Sequence, residues 1–154
     1  MGSQTNKKES YKMKNIYFDM DGTIANLYGV DGWLDYLINK ETTPYEIARP
    51  MVNFSYLARL LNKLQRNGYT IGIISWTAKN STEEYNARVA RAKREWLKKH
   101  LPSVRFDEIH IVEYGTPKST CGKGILFDDE EKNRLEWNGT AYNVNNILEV
   151  LRNL

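Results

Sequence analysis

Apolar residues follow two rhythms along this chain. Ile16-Tyr17-Phe18, Ile71-Gly72-Ile73-Ile74 and Ile125-Leu126-Phe127 are short unbroken runs, which read as strands buried on both faces of a parallel sheet. Elsewhere the spacing is three and four, as in Phe54, Leu57, Ala58, Leu61 and Leu64, and in Tyr85, Val89, Ala92 and Trp96. That spacing predicts helices with one apolar face. The pattern places strands at 15–19, 69–75, within 106–112, at 124–127 and at 140–144. Helices are expected around Trp33, Leu34, Leu37 and Ile38, and from Thr43-Pro44-Tyr45-Glu46, a capping box with proline at the first helical position, as far as Pro50. A third closes at Asn67-Gly68, a fourth opens at Ser81-Thr82-Glu83-Glu84 and ends at Leu101-Pro102, and a last one starts at Asn145.

Strands alternating with helices imply an α/β, three-layer Rossmann-like parallel sheet with helices on both faces. Residues 14–154 are expected to form one domain after a flexible polar tail at 1–13. In such sheets ligands gather at the carboxyl ends of the strands.

With 154 residues the chain is long enough for one domain with a full core, and its 27% charged and 41% hydrophobic residues are those of a globular protein. No apolar run approaches a membrane span, and the N-terminal lysines precede no apolar signal core. The single Cys121 excludes an internal disulfide framework and fits a reducing, cytoplasmic setting. The net charge of +3 resides in Lys7, Lys8, Lys12 and Lys14 against Glu9, which leaves 18 of the 22 basic and 18 of the 19 acidic residues in balance. Charge is therefore a weak argument for a nucleic-acid partner. Arg88, Arg91, Arg94, Lys98 and Lys99 read as a solvated helix face. His100, His110 and Cys121 lack zinc spacing.

The candidate chemistry begins at Asp19-Met20-Asp21-Gly22-Thr23, directly after the first strand. Residues i and i+2 on extended backbone point to one side. Two carboxylates so close retain a proton unless a cation offsets them. Mg²⁺ is the natural cation, because it takes oxygen ligands from one or two carboxylates and a phosphate. Asp is also an established nucleophile toward phosphorus. Ser75 and Asp128-Asp129 stand at the ends of two further strands, and Lys118 lies in Gly115-Thr116-Pro117-Lys118.

These four elements, in this order, resemble the motifs of the haloacid dehalogenase (HAD) superfamily of Mg²⁺-dependent phosphohydrolases, over roughly residues 14–153. The resemblance implies that Asp19 is the nucleophile and that Asp21 is the general acid and then base. It implies that Ser75 binds a phosphoryl oxygen and that Lys118 offsets charge, with Lys123 as a rival for that role. Asp19, the backbone carbonyl of Asp21, Asp128 and Asp129 would hold or support the metal. Thr23, Ser75, Trp76 and Lys118 are the expected phosphate or substrate contacts, with Trp76 either stacking a nucleobase or packing its loop.

The run Ile125-Leu126-Phe127-Asp128-Asp129 through Trp137 and Gly139 looks like the 5′-nucleotidase and deoxynucleotidase branch, which implies a nucleotide phosphatase. An insertion at about 25–50 is too short for a full cap domain, so the site is expected to be open or covered by a partner subunit. An open site also admits a polynucleotide end or a protein as substrate. A non-enzymatic phosphate-sensing module is the third alternative.

Overall fold

Hydrogen bonding along the first apolar run makes β1 (Asn15–Phe18), which stops one residue before Asp19. The computed structural model describes residues 14–154, and the expected flexible tail at 1–13 lies outside the described residues. After a tight turn come β2 (Ala25–Asn26), α1 (Trp33–Ile38), α2 (Thr43–Ile47) and β3 (Arg49–Pro50). Strands β2 and β3 pair antiparallel, Ala25 with Pro50 and Asn26 with Arg49, and so close the base of this segment. Thr42, not Thr43, precedes the first turn of α2, which moves Pro44 one position inward. Proline is tolerated there because the first helical N–H groups have no partner within the helix.

Helix α3 (Phe54–Arg66) is capped by Asn53, whose side chain accepts from the Tyr56 N–H, and it leads into β4 (Thr70–Trp76). The long helix α4 (Glu83–His100) starts one residue later than its sequence signal, with Thr82 accepting from the Tyr85 N–H. Then follow β5 (Glu108–Val112), β6 (Gly124–Phe127), α5 (Glu131–Glu136), β7 (Gly139–Tyr142) and α6 (Ile147–Arg152). The five long strands form one all-parallel sheet in the order β5-β4-β1-β6-β7. The fold is therefore α/β with a five-stranded, Rossmann-like sheet flanked by helices.

Alternation along the strands sorts the core into two unequal layers. Ile16, Phe18, Ile71, Ile73, Ile125 and Phe127 pack against Leu57, Leu61 and Leu64 of α3, Trp96 and Leu97 of α4, and Ile147 and Leu151 of α6. Tyr17, Ile74 and Leu126 face the other way and meet Trp137, just beyond α5. That second face leaves little room above Gly72, where an added Cβ would lie 2.7 Å from the Tyr17 ring. A third cluster joins Leu27 and Tyr45 of the insertion to Tyr85, Val89 and Ala92 of α4. The insertion is thereby anchored over the N-terminal half of α4. No helix among the described residues is long and apolar enough to cross a membrane.

Candidate active site

Parallel pairing of β1 between β4 and β6 aligns the carboxyl ends of three strands, which brings together residues far apart in sequence. The Asp19 N–H donates to the Phe127 carbonyl at 2.9 Å, so Asp19 and Asp128 leave neighbouring strands side by side. Gly22 turns the chain with φ +80°, and an added Cβ there would collide with the Asp129 carboxylate. Glycine meets both demands, since it alone adopts this backbone without strain and has no side chain to clash.

Asp19, Asp128 and Asp129 each present one carboxylate oxygen within 4.8 Å of the others. Thr23 is fully buried beneath them. Its hydroxyl lies 2.8 Å from Asp19 Oδ2 and 3.2 Å from Asp129 Oδ1, and it accepts from the Asp129 N–H at 3.1 Å. One hydroxyl proton serves the two acids in turn. Thr23, expected as a phosphate or substrate contact, is thus placed to orient the acidic cluster.

Lys118 is buried and donates to Asp19 Oδ1 at 2.8 Å and Asp128 Oδ2 at 2.7 Å. Lys123 is exposed, so the lysine at the carboxylates is Lys118. Asp128 also accepts from the Glu130 N–H at 2.9 Å and from Asn133 Nδ2 at 3.2 Å. The Asp21 side chain leaves this cluster and points to a lysine that sequence reasoning did not single out. Lys93, on α4, donates to Asp21 Oδ2 at 2.8 Å, to Ser75 Oγ at 2.7 Å and to the Trp76 carbonyl at 2.6 Å. The signal was present in the pattern: Lys93 follows Val89 by four residues and precedes Trp96 by three, so it falls on the buried stripe of α4.

Ser75 is fully buried on the helix-covered face, on the same side as Ile71 and Ile73, with its Oγ held by Lys93. Thr77, two residues further on, lines the cleft, whereas Ser75 does not. Thr77 Oγ1 is buried with no partner among the described residues. An unsatisfied hydroxyl at a cleft wall is a donor available to a bound oxygen.

Charge crowding sets the proton distribution. Burial alone would push Asp19 up, but Lys118 overrides it and holds Asp19 below its ordinary 3.8. Burial drives Asp21 upward against the pull of Lys93, with Asp19 adding to the rise. Burial and Asp19 raise Asp128 to about 6 and Asp129 to about 8. Lys118 is held firmly protonated, because Asp19 and Asp128 outweigh its burial. One acid of the Asp-x-Asp pair is therefore biased toward the anion and the other toward the acid form.

Above the carboxylates lies a cleft of about 510 Å³ that includes Asp19, Asp21 and Lys118 in its lining. Tyr28, Trp33, Leu37 and Tyr45 of the short insertion contribute to its lining. Trp76 and Tyr114 also line it, with ring centroids 4.9 Å apart, and the Trp76 indole N–H donates to the Thr116 carbonyl at 2.8 Å. Trp76 therefore packs its loop and lines the cleft at once. Leu34 and Ile38 add to the apolar lining and remain 52% and 66% exposed.

No protein-family model matches the chain, and no curated protein sequence matches it either. Its functional reading rests on the site itself.

Proposed function

We propose that this protein is a Mg²⁺-dependent phosphomonoester hydrolase of the HAD type that works through a phosphoaspartate and acts on a nucleotide. The observation that carries this reading is the division of labour between Asp19 and Asp21. Asp19 is paired with Lys118 and biased toward the anion, and Asp21 is paired with Lys93 and biased toward the acid. Phosphoryl transfer by a carboxylate needs a nucleophilic anion and a separate proton donor within one cleft.

The residues present fit a hard divalent cation. Three carboxylate oxygens converge with no soft donor among them, and Asp129 is pushed up to about 8 by burial and by the neighbouring acid Asp19. Asp19, Asp128 and Asp129 would hold Mg²⁺. When bound, it supplies positive charge to the phosphoryl oxygens.

An Asp19 carboxylate oxygen attacks phosphorus, the ester P–O bond breaks, and Asp21 gives its proton to the departing oxygen. Asp21, now a carboxylate, takes a proton from water as that water attacks phosphorus. The Asp19–phosphorus bond breaks, inorganic phosphate leaves, and both acids regain their starting states. Lys118 holds Asp19 in place throughout and offsets charge on the phosphoryl group. The aromatic walls formed by Tyr28, Trp33, Trp76 and Tyr114 support a planar leaving group such as a nucleoside.

Phosphate release from 4-nitrophenyl phosphate and a panel of nucleoside monophosphates, with Mg²⁺ present, tests the proposal. Release by the wild type and its loss in Asp19→Asn are expected. Turnover that survives this substitution would overturn the mechanism.

A further inference from the structure

Two ammonium groups of the cleft have no part in the mechanism above. Lys40, in the turn after α1, and Lys79, in the loop between β4 and α4, line the same cavity as Asp19 and Asp21. Each ammonium lies over an aromatic ring of that cavity. Lys40 Nζ is 5.7 Å from the Tyr85 centroid, and Lys79 Nζ is 5.8 Å from the Tyr114 centroid. Both residues are exposed, and among the described residues neither forms an ion pair. The deeper pair behaves differently, since Lys93 and Lys118 are buried and bound to carboxylates. Inner cations answer inner acids, whereas the outer two have no anion of the protein to answer. Glu130, an exposed acid that also lines the cavity, has no lysine partner among the described residues either.

Both outer lysines lie in turns of unusual backbone. Lys40 itself has φ +56°, and Asn80, next to Lys79, has φ +52°; among the described residues no other non-glycine residue has positive φ. The Lys40 carbonyl accepts from Arg88 Nη2 at 2.7 Å, and the Glu41 carbonyl accepts from the Tyr85 hydroxyl at 2.7 Å. Helix α4 thus ties down the turn that carries Lys40.

We propose that Lys40 and Lys79 form a second anion site and that the substrate is a nucleoside bisphosphate. One phosphate reacts at Asp19, the nucleoside lies between the aromatic walls, and the other phosphate meets the two rim lysines. This rests on the phosphatase reading of the same cleft. A lysine ammonium is a compact point charge suited to phosphate. The volume of about 510 Å³ is that of a pocket for one small ligand, within the usual range of roughly 300–1,000 Å³, and argues for a single nucleotide over an extended strand.

Initial rates with Mg²⁺ on a nucleoside 5′-monophosphate, its 3′,5′-bisphosphate and a 5′-phosphorylated dinucleotide test the site. The full chain is compared with Lys40→Gln/Lys79→Gln and Lys40→Arg/Lys79→Arg. The wild type should favour the bisphosphate over the monophosphate in kcat/KM by roughly tenfold, the combined effect of two exposed ion pairs at low salt. The glutamine variant should lose that preference, and the arginine variant should keep it. Equal use of the two mononucleotides, a preference that persists in the glutamine variant, or best use of the dinucleotide would each overturn the proposal. If no ester is cleaved, the phosphatase reading fails, and calorimetric titration decides the anion site alone. Tighter binding of the bisphosphate that disappears in the glutamine variant supports it, and equal affinity for the two mononucleotides rejects it.

Discussion

Lys93 Nζ stands 2.8 Å from Asp21 Oδ2 and so draws the second carboxylate of Asp19-Met20-Asp21 away from the first. Asp19 is held from the other side by Lys118, also at 2.8 Å. Neighbours in sequence are thus neutralised by different lysines, one from α4 and one from the turn before β6. That separation allows one acid to remain an anion while the other retains a proton.

Replacing Lys93 with Met tests whether it positions and tunes Asp21. Without the ammonium, burial and Asp19 act on Asp21 against the weaker pull of Lys118 alone, so its pKa rises further. The alkaline limb of the kcat profile, set by loss of the acid's proton, should move to higher pH. Loss of the ammonium's hydrogen bonds to Asp21, Ser75 and the Trp76 carbonyl should also lower Tm. A lower Tm with an unmoved limb would reduce Lys93 to a packing role.

Asp21→Asn should lower kcat by roughly 10²–10⁴-fold on a nucleotide, the usual contribution of a positioned proton donor. The loss should be smaller for 4-nitrophenyl phosphate, whose leaving group departs without a proton. Equal losses on both substrates would assign Asp21 a role other than leaving-group protonation.

Stability of the metal-free protein should fall as pH rises from about 4 to about 8. Asp128 and Asp129 are raised from 3.8 to about 6 and about 8, so the folded state binds more protons than the unfolded state across this window. Their contribution is full below 3.8 and is lost as pH passes the folded values. Asp19 is shifted the other way, so its change falls below this window. Mg²⁺ should reverse the decline, because it offsets the carboxylates and releases their protons. Denaturant midpoints with Mg²⁺ and with chelator, at pH values spanning the window, measure both effects. A flat metal-free profile would contradict this charge crowding.

Thr23→Val retains the shape of the side chain and removes the hydroxyl shared by Asp19 and Asp129. Mg²⁺ affinity should drop roughly 10–100-fold, as for other groups that orient metal ligands. Calorimetric titration of the variant with Mg²⁺ reads this directly. Unchanged affinity would show that the acids keep their places without Thr23.

The elements were largely legible in the apolar rhythm, since β1, β4 and β6 are continuous runs and α3 and α4 carry one-sided stripes. Small shifts came where local signals compete. Thr82 took the cap in place of Ser81, and Thr42 preceded α2 in place of Thr43. Ser75 and Lys93 show a different limit. The parity of Ser75 with Ile71 and Ile73 already placed the three on one face, and Lys93 already lay on the buried stripe of α4. Neither pattern says which buried groups meet, because that depends on how α4 lies across the sheet.

By itself, the sequence determined a parallel α/β sheet, two carboxylates after its first strand and two more after β6. These follow from periodicity and strand ends, which are local properties of the chain. Only the tertiary structure decided that Asp19, Asp128 and Asp129 converge while Asp21 turns to Lys93, and that a short insertion builds an aromatic wall over them. Those outcomes depend on the order of strands and the packing of α4 against the insertion. Both are long-range contacts, whose register no local run of residues encodes.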